Sequence, residues 1–288
     1  PWDGIDRLSD VINCVEVVKD YEKVRDIYLH NWFRCAVGML ENGTNGMNLD
    51  YEGILVFQGS QGIGKTSWFK GLVDQDYRHL VRDGFELDLN NKDSRISFSS
   101  HWMVELGELD ATFKKSEVSA LKAFTTMSSD KVRRPYDRVD TTMFRRTVMF
   151  ASVNDMQFLQ DDTGNRRFWC LPVTGLSLPE NFNPQQFWAQ VKHELNQMGG
   201  ARSKPWYVTG EDRKLRDDAN ELFQAADPIE EMILSAFDKS KPCEYRATAT
   251  MLVEMFGLPI SKVTTNTVSK HLKKHFGDYR REGTGRFF

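Results

Sequence analysis

Eight consecutive residues, 59–66, have the types and the spacing needed to hold a phosphate group. Their sequence GSQGIGKT fits the pattern G-x-x-x-x-G-K-[ST], in which backbone N–H groups of a glycine-rich turn surround the anion. The apolar run 54–57 before them predicts a strand, and residues 67–73 after them predict a helix. Strand, glycine-rich turn and helix is the context that gives this pattern its meaning. The sequence therefore predicts a nucleoside triphosphate site.

Each position in this turn has a distinct expected role. Glycine lets the backbone approach the phosphates closely, and the start of the following helix adds unpaired N–H groups. Lys65 is expected to reach the β- and γ-phosphates, and the Thr66 hydroxyl is expected to bind Mg²⁺. The expected ligands are thus ATP and Mg²⁺, and the predicted nucleotide-binding residues are Gly59, Ser60, Gln61, Gly62, Ile63, Gly64, Lys65, Thr66 and Ser67.

A second predicted strand, residues 101–108, ends in acidic residues. Carboxylates at the end of such a strand hold Mg²⁺ or polarise the attacking water. Glu108 is the first candidate, as the catalytic acid and as a metal ligand with Thr66; Glu105 is the second and Asp110 the third. Side chains alternate along a strand, so Glu105 and Glu108 face opposite ways unless the intervening glycine breaks the pleat. One of the two is then structural.

Three later residues could complete the chemistry. Asn154 follows the apolar strand candidate 147–153, where its amide could orient a water molecule; the alternative is an ordinary turn. Arg166 and Arg167 precede a further apolar run, 170–173, and either could stabilise charge on the transferred phosphoryl group as an arginine finger. Surface salt bridges are the alternative for this arginine pair.

Two basic regions could contact nucleic acid. Residues 131–146 predict a hairpin with a basic tip, with Lys131, Arg133, Arg134 and Arg138 as candidate DNA contacts and Arg145 and Arg146 adding to its charge. A solvated loop is the alternative, because aspartates dilute this charge. Three short helices and an extended end after residue 228 predict a winged-helix-like domain, with Lys270, Lys273 and Lys274 as DNA contacts. The alternative is a helical lid.

His271 and His275 have the i, i+4 spacing of a metal-binding pair. The sequence offers no evident third ligand for them, and solvated or phosphate-facing histidines are the favoured interpretation. The four cysteines, far apart, also give no sign of a zinc site and indicate reduced thiols in a cytoplasm.

The elements that position these residues alternate between strands and helices. Further strand and helix candidates include residues 85–89 and 117–124, and the order predicts an α/β fold with a mostly parallel sheet. The predicted domains are an N-terminal helical collar (1–50), a P-loop core (51–227) and the winged-helix-like domain (228–288). A chain of 288 residues with 40% apolar and 27% charged residues is typical of globular proteins, and no run is long enough to span a membrane. Because it begins with Pro1 rather than Met, the chain is expected to be part of a longer protein.

Two motifs, WMVELGELD at 102–110 and GNRRFW at 164–169, closely resemble the virulence-associated protein E family of phages and mobile islands. The opening PWDG is similar to the start of that family's ATPase region. The resemblance covers roughly residues 1–225, and the family in turn resembles superfamily 3 helicases, hexameric rings of AAA+ type.

This resemblance implies roles for the matching positions. It makes residues 59–66 the Walker A motif, Glu108 with Glu105 the Walker B acids, and Asn154 the sensor asparagine. Arg166 or Arg167 becomes a finger that acts on a neighbouring subunit's ATP. Lys122 and residues 130–138 would correspond to the hairpin that lines a DNA-filled pore. The implied partners are single-stranded or forked DNA, five further copies of the chain, and an upstream primase or primase-polymerase.

The main functional hypothesis is an ATP-driven DNA helicase or translocase for mobile-element replication, in the cytoplasm of a bacterial host. The alternative is an ATP-switched initiator that binds an origin and melts or marks it without processive unwinding. A P-loop kinase is disfavoured for two reasons. The basic elements suit binding to a polymer such as DNA, and the sequence shows no evident lid segment that would close over a small phosphate acceptor.

Overall fold

The computed structural model describes residues 1–107, 109, 115–132, 139–159, 165–224, 227–237, 247–278, 280–282 and 285–287. The chain forms two compact units, Pro1–Gln224 and Ala225–Phe288. Among the residues described, no helix combines the length and apolar character needed to cross a membrane.

The strands of the first unit are, in chain order, β1 (Val15–Val17), β2 (Ile54–Gln58), β3 (Val81–Phe85), β4 (Met103–Leu106), β5 (Ser129–Val132), β6 (Thr141–Phe144), β7 (Val148–Val153) and β8 (Phe168–Leu176). Six of them form one sheet in the order β1-β8-β2-β7-β4-β3. The neighbours from β8 to β3 run parallel, and β1 pairs antiparallel with β8 at the edge. The predicted mostly parallel α/β sheet is confirmed.

One predicted strand is wrong in position. Residues 85–89 were expected to be extended, but β3 ends at Phe85. Only Val81 and Phe85 of β3 are buried, and the three residues between them are exposed at the sheet edge. An edge strand with a polar middle lacks the apolar run by which buried strands are recognised in sequence.

The helices of the first unit surround this sheet. They are α1 (Leu8–Asn13), α2 (Glu22–Met39), α3 (Lys65–Gly71), α4 (Lys92–Ser99), α5 (Lys115–Thr125), α6 (Pro184–Gln197) and α7 (Asp212–Glu221). Short 3₁₀ turns lie at Gln75–Leu80, Asn165–Arg167 and Ala201–Ser203.

Aromatic residues fix the N-terminal helices against the sheet. Trp32 of α2 donates from Nε1 to the carbonyl of Met149 at 2.9 Å. Phe69 of α3 stacks on Phe150 of β7, with ring centroids 3.7 Å apart. All five residues of β2 are buried, as expected for a parallel strand covered on both faces. Residues 1–50 therefore share their core with the sheet that carries the glycine-rich turn.

The antiparallel ribbon β5–β6 is anchored by a buried ion pair. Arg145, directly after β6, contacts Asp130 of β5 at 2.8 Å, and both side chains are almost fully buried. The Arg145 guanidinium also lies 3.4 Å from the ring centroid of Phe124. Arg146 donates to the backbone carbonyl of Asn42. The expectation of an exposed basic side chain is wrong for Arg145, which is buried in this ion pair, whereas Arg146 is exposed.

The second unit has its own small core. It contains α8 (Pro228–Ala236), α9 (Ala249–Met255), α10 (Lys262–Phe276) and a two-stranded antiparallel ribbon of β9 (Arg280–Glu282) and β10 (Gly285–Phe287). Side chains of Asp227, Thr248 and Ser261 cap the three helices. Among the residues described in this unit, the buried apolar ones are Ile233, Ala249, Leu252, Val253, Val268 and Leu272.

Candidate functional site

The glycine-rich turn connects the carboxyl end of β2 to the first residue of α3. Gly62 and Gly64 have φ values of 86° and 91°, in the left-handed region that side chains disfavour. At Gly59 a Cβ atom would lie 2.5 Å from the carbonyl oxygen of Val173 in β8. Glycine is therefore required by the backbone conformation at Gly62 and Gly64, and by close packing against β8 at Gly59.

Lys65 lies over this turn. Its Nζ donates to the carbonyls of Gly59 at 2.6 Å and Ser60 at 3.0 Å, and to Oδ1 of Asn154 at 3.0 Å. The residue is 8% exposed. The first residue of α3 therefore places a nearly buried ammonium group at the start of a helix, where partial positive charge already favours an anion.

Glu105 of β4 is the acid that the structure places beside the turn. Its Oε1 accepts hydrogen bonds from Thr66 Oγ1 at 2.8 Å and from Ser152 Oγ at 2.7 Å. The residue is 6% exposed. A buried carboxylate and a hydroxyl in contact are oxygen donors of the kind that Mg²⁺ accepts.

Asn154 follows β7 and links two parts of the site. Besides accepting from Lys65, it accepts at its backbone carbonyl from Gln58 Nε2 at 3.0 Å. The arrangement works because β7 lies between β2 and β4. The carboxyl ends of these three parallel strands therefore lie side by side at the same end of the sheet.

Gln58 and Ser152 belong to this cluster but were not identified from the sequence. A signal exists: β2 and β7 are otherwise apolar, and each has one polar side chain near its carboxyl end. A polar residue at that position of a buried strand needs a partner. Glu108 and Asp110 lie outside the described residues, so their predicted roles stay predictions.

Arg166 and Arg167 lie at the amino ends of the parallel strands, whereas the glycine-rich turn lies at their carboxyl ends. They end the 3₁₀ turn before β8, and Phe168 of β8 is opposite Ile54, the first residue of β2. The length of β2, about 16 Å at ~3.3 Å per residue, therefore separates this turn from the glycine-rich turn. Burial and the adjacent Arg166 lower the pKa of Arg167, and Glu52 partly counteracts them.

The candidate DNA contacts are only partly described. Lys131 is exposed on β5, whereas Arg133, Arg134 and Arg138 lie outside the described residues. Lys270, Lys273 and Lys274 are exposed on α10. Lys273 is paired with Asp278 and Lys274 with Glu230, which reduces the positive charge of this helix.

Comparison with known proteins places the first unit in a family. The family model for the virulence-associated protein E-like domain matches residues 1–225. No curated protein matches the chain. Among solved structures, the apo C-terminal region of NrS-1 (305–718) is 12% identical with a TM-score of 0.44, covering 96% of this chain and 77% of that one. An A-form apo structure of the same region, also 12% identical, gives 0.43 with the same coverage. The chain belongs to the virulence-associated protein E-like family.

Proposed function

We propose that this chain is a P-loop ATPase of the superfamily 3, AAA+-like type, which drives movement along DNA. The observation that carries the proposal is the meeting of Lys65, Thr66, Glu105 and Asn154 at the start of α3. An ammonium, a hydroxyl, a carboxylate and an amide are the groups that phosphoryl transfer from ATP to water requires. Two come from helix α3, one from β4 and one from the end of the adjacent parallel strand β7, so the sheet and the helix fix their positions.

The residues fit a bound Mg²⁺ ion. Thr66 Oγ1 and Glu105 Oε1 are 2.8 Å apart and supply hard oxygen donors. When bound there, Mg²⁺ would neutralise negative charge on the β- and γ-phosphates. We assign to Glu105 the metal-binding role for which Glu108 is the first candidate by sequence, because Glu105 already contacts Thr66. Glu108 stays a candidate for polarising the attacking water.

The glycine-rich turn and the arginine pair, Arg166 and Arg167, lie at opposite ends of the strands. This placement supports ATP hydrolysis at the interface between two subunits. A guanidinium about 16 Å from its own phosphate site cannot stabilise charge there. In a ring of identical subunits, however, the face of one copy that carries the arginines meets the face of the next that carries the turn. We propose a homo-hexamer with ATP at each interface.

The ribbon β5–β6 is the proposed contact to single-stranded DNA. It lies in the chain between β4, which carries Glu105, and β7, which precedes Asn154, with α5 between β4 and the ribbon. The ribbon is therefore joined through the chain to two strands of the nucleotide site. The buried Asp130–Arg145 pair makes the base of the ribbon rigid. Movement at the site can therefore be passed to the ribbon. The C-terminal unit, proposed to be winged-helix-like, would add contacts to phosphates.

Family membership supports a role in the replication of a phage or other mobile element, inside a bacterial host cell. An upstream primase or primase-polymerase region on the same protein belongs to this proposal. These points rest on the family and not on the geometry of the site.

We expect ATP hydrolysis by the wild-type chain to rise when single-stranded DNA is added, and a forked duplex to be separated only with ATP. Because the contacts are with phosphates, log affinity for single strands should fall linearly with log salt concentration. Steady-state ATPase and strand-displacement assays test this. ATPase activity that does not respond to DNA would contradict the translocase. A footprint on one duplex without displacement would favour an origin-binding initiator.

The Glu105→Gln variant tests whether the negative charge of Glu105 is required for ATP hydrolysis. Glutamine keeps an oxygen that accepts from Thr66 and Ser152, so the fold should persist, but the charge that holds Mg²⁺ is lost. We expect ATP turnover to fall at least about 100-fold. Glu86→Gln is the matched control, since Glu86 is an exposed acid just after the adjacent strand β3. It should stay within about two-fold of wild type. Normal turnover by Glu105→Gln would leave Glu105 a structural role only.

A further inference from the structure

Three titratable side chains of the C-terminal unit converge between α8 and α10. Glu230 lies in the first turn of α8, and His271 and His275 are four residues apart on α10. Residues at this spacing share one face of a helix. One nitrogen or oxygen atom from each of the three lies within 4.8 Å of the others. The fold thus supplies the third ligand that the histidine pair lacked in the sequence.

The hydrogen bond of His271 fixes which ring nitrogen carries a proton. Its Nε2 lies 2.8 Å from Oδ2 of Asp227, and a carboxylate can only accept, so Nε2 is the donor. In the neutral ring Nδ1 then carries a lone pair. Metal-binding histidines typically have this arrangement, with the second nitrogen donating to a carboxylate.

His271 Nδ1 is left without a hydrogen-bond partner among the described residues. The side chain is only 2% exposed, so water does not compensate. Its nearest charged neighbour is Oε2 of Glu230, at 3.6 Å, which is too long for a hydrogen bond. Two electron-rich atoms therefore face each other, one on the buried His271 ring and one on the partly exposed Glu230. A cation between them would satisfy both.

The separation of these atoms fits zinc. Ligands about 2.0 Å from a tetrahedral Zn²⁺ ion lie about 3.3 Å from one another, close to the 3.6 Å observed here. His275 Nε2 already contacts the other carboxylate oxygen of Glu230. Two imidazoles and one carboxylate are ligands that Zn²⁺ accepts and that Mg²⁺ and Ca²⁺ do not favour.

We propose that Glu230, His271 and His275 bind one Zn²⁺ ion, which fastens α8 to α10 in the C-terminal unit. Asp227 orients His271 and is a positioning residue. The small core of this unit makes such a site useful, because domains with few buried apolar side chains commonly need a metal or a disulfide. Lys274 opposes the metal, because its ammonium contacts Glu230 Oε1 at 2.9 Å.

Isothermal titration of the chelator-treated full chain with Zn²⁺ tests the proposal. We expect one site, weakened more than about 100-fold in His275→Gln and about 10- to 100-fold in Asp227→Asn. Asparagine still caps α8, but its amide donates to Nε2 and places the ring proton on Nδ1. Lys274→Gln should bind Zn²⁺ more tightly, which loss of an ordinary salt bridge would not produce.

We choose His275 for replacement because its side chain is partly exposed, whereas His271 is buried and its replacement would also disturb packing. His79→Gln, at an exposed position of the first unit, is the matched control and should bind like wild type. Replacing Zn²⁺ with Co²⁺ should give visible absorption bands that disappear in His275→Gln. Absence of binding, or binding that depends on Glu105 instead of His275, would overturn the proposal.

Discussion

A Lys65→Ala variant is expected to hydrolyse ATP at least about 100-fold more slowly than the wild-type chain. Lys65 supplies the one ammonium that the described structure places over the glycine-rich turn, 2.6 Å from the Gly59 carbonyl and 3.0 Å from Asn154. In the proposed reaction this charge moves to the β- and γ-phosphates, where negative charge develops. Alanine removes the charge and leaves the turn. Steady-state phosphate release at saturating ATP is the measurement.

Two variants make this result specific. Lys70→Ala removes a lysine from the same helix, but Lys70 is partly exposed and pairs with Asp83, so turnover should change by no more than about two-fold. Lys65→Arg keeps a positive charge with a different shape and should recover little activity, because the pocket is built for a compact ammonium. Normal hydrolysis by Lys65→Ala would remove the assignment of residues 59–66 as a phosphate-binding loop.

Replacing Arg166 and Arg167 by alanine one at a time should show which of the two is the arginine finger. The finger variant is expected to lose about 10³-fold or more in turnover while still binding ATP, because this arginine acts only on charge that develops during transfer. The other variant should show a small effect. Arg166 has an exposed side chain, as an arginine that reaches another subunit requires, whereas the half-buried Arg167 lies near Glu52. We therefore expect Arg166→Ala to have the larger effect.

Mixing variants tests whether the arginine acts between subunits. The Lys65→Ala and Arg166→Ala chains should each be inactive alone. In a mixed ring, some interfaces combine the intact turn of an Arg166→Ala subunit with the intact arginine of a Lys65→Ala subunit, so activity should reappear in proportion to their frequency. Activity that stays absent at every mixing ratio, with rings still forming, would contradict catalysis across the interface.

Several features of the site could be predicted from the sequence because they depend on neighbouring residues. The conformations at Gly62 and Gly64, a helix directly after the turn and the burial of β2 all follow from local backbone geometry and apolar pattern. The predicted bounds of that helix, 67–73, lie two residues later than α3, which is Lys65–Gly71. The cap that the Asp227 side chain forms on α8, directly before Pro228, is a local signal of the same kind. Signals of this type lie within one turn of helix or one strand, where residue type restricts conformation directly.

Other features required the tertiary structure, because they join distant parts of the chain. Thr66 and Glu105 are 39 residues apart, and only the order of β2, β7 and β4 brings them into contact. The contrast between a buried Arg145 and an exposed Lys131 on one ribbon has the same origin. Glu230 and His275, 45 residues apart, meet only because α8 packs on α10.

The sequence by itself determined that this chain has a phosphate-binding turn between a buried strand and a helix. It also determined that the turn belongs to a mostly parallel α/β sheet. The tertiary structure alone decided which acid contacts Thr66, which arginines are structural, and that the histidine pair has a carboxylate partner. The physical reason is that side-chain alternation and helical periodicity give each residue a face, while the packing of whole elements decides what that face meets.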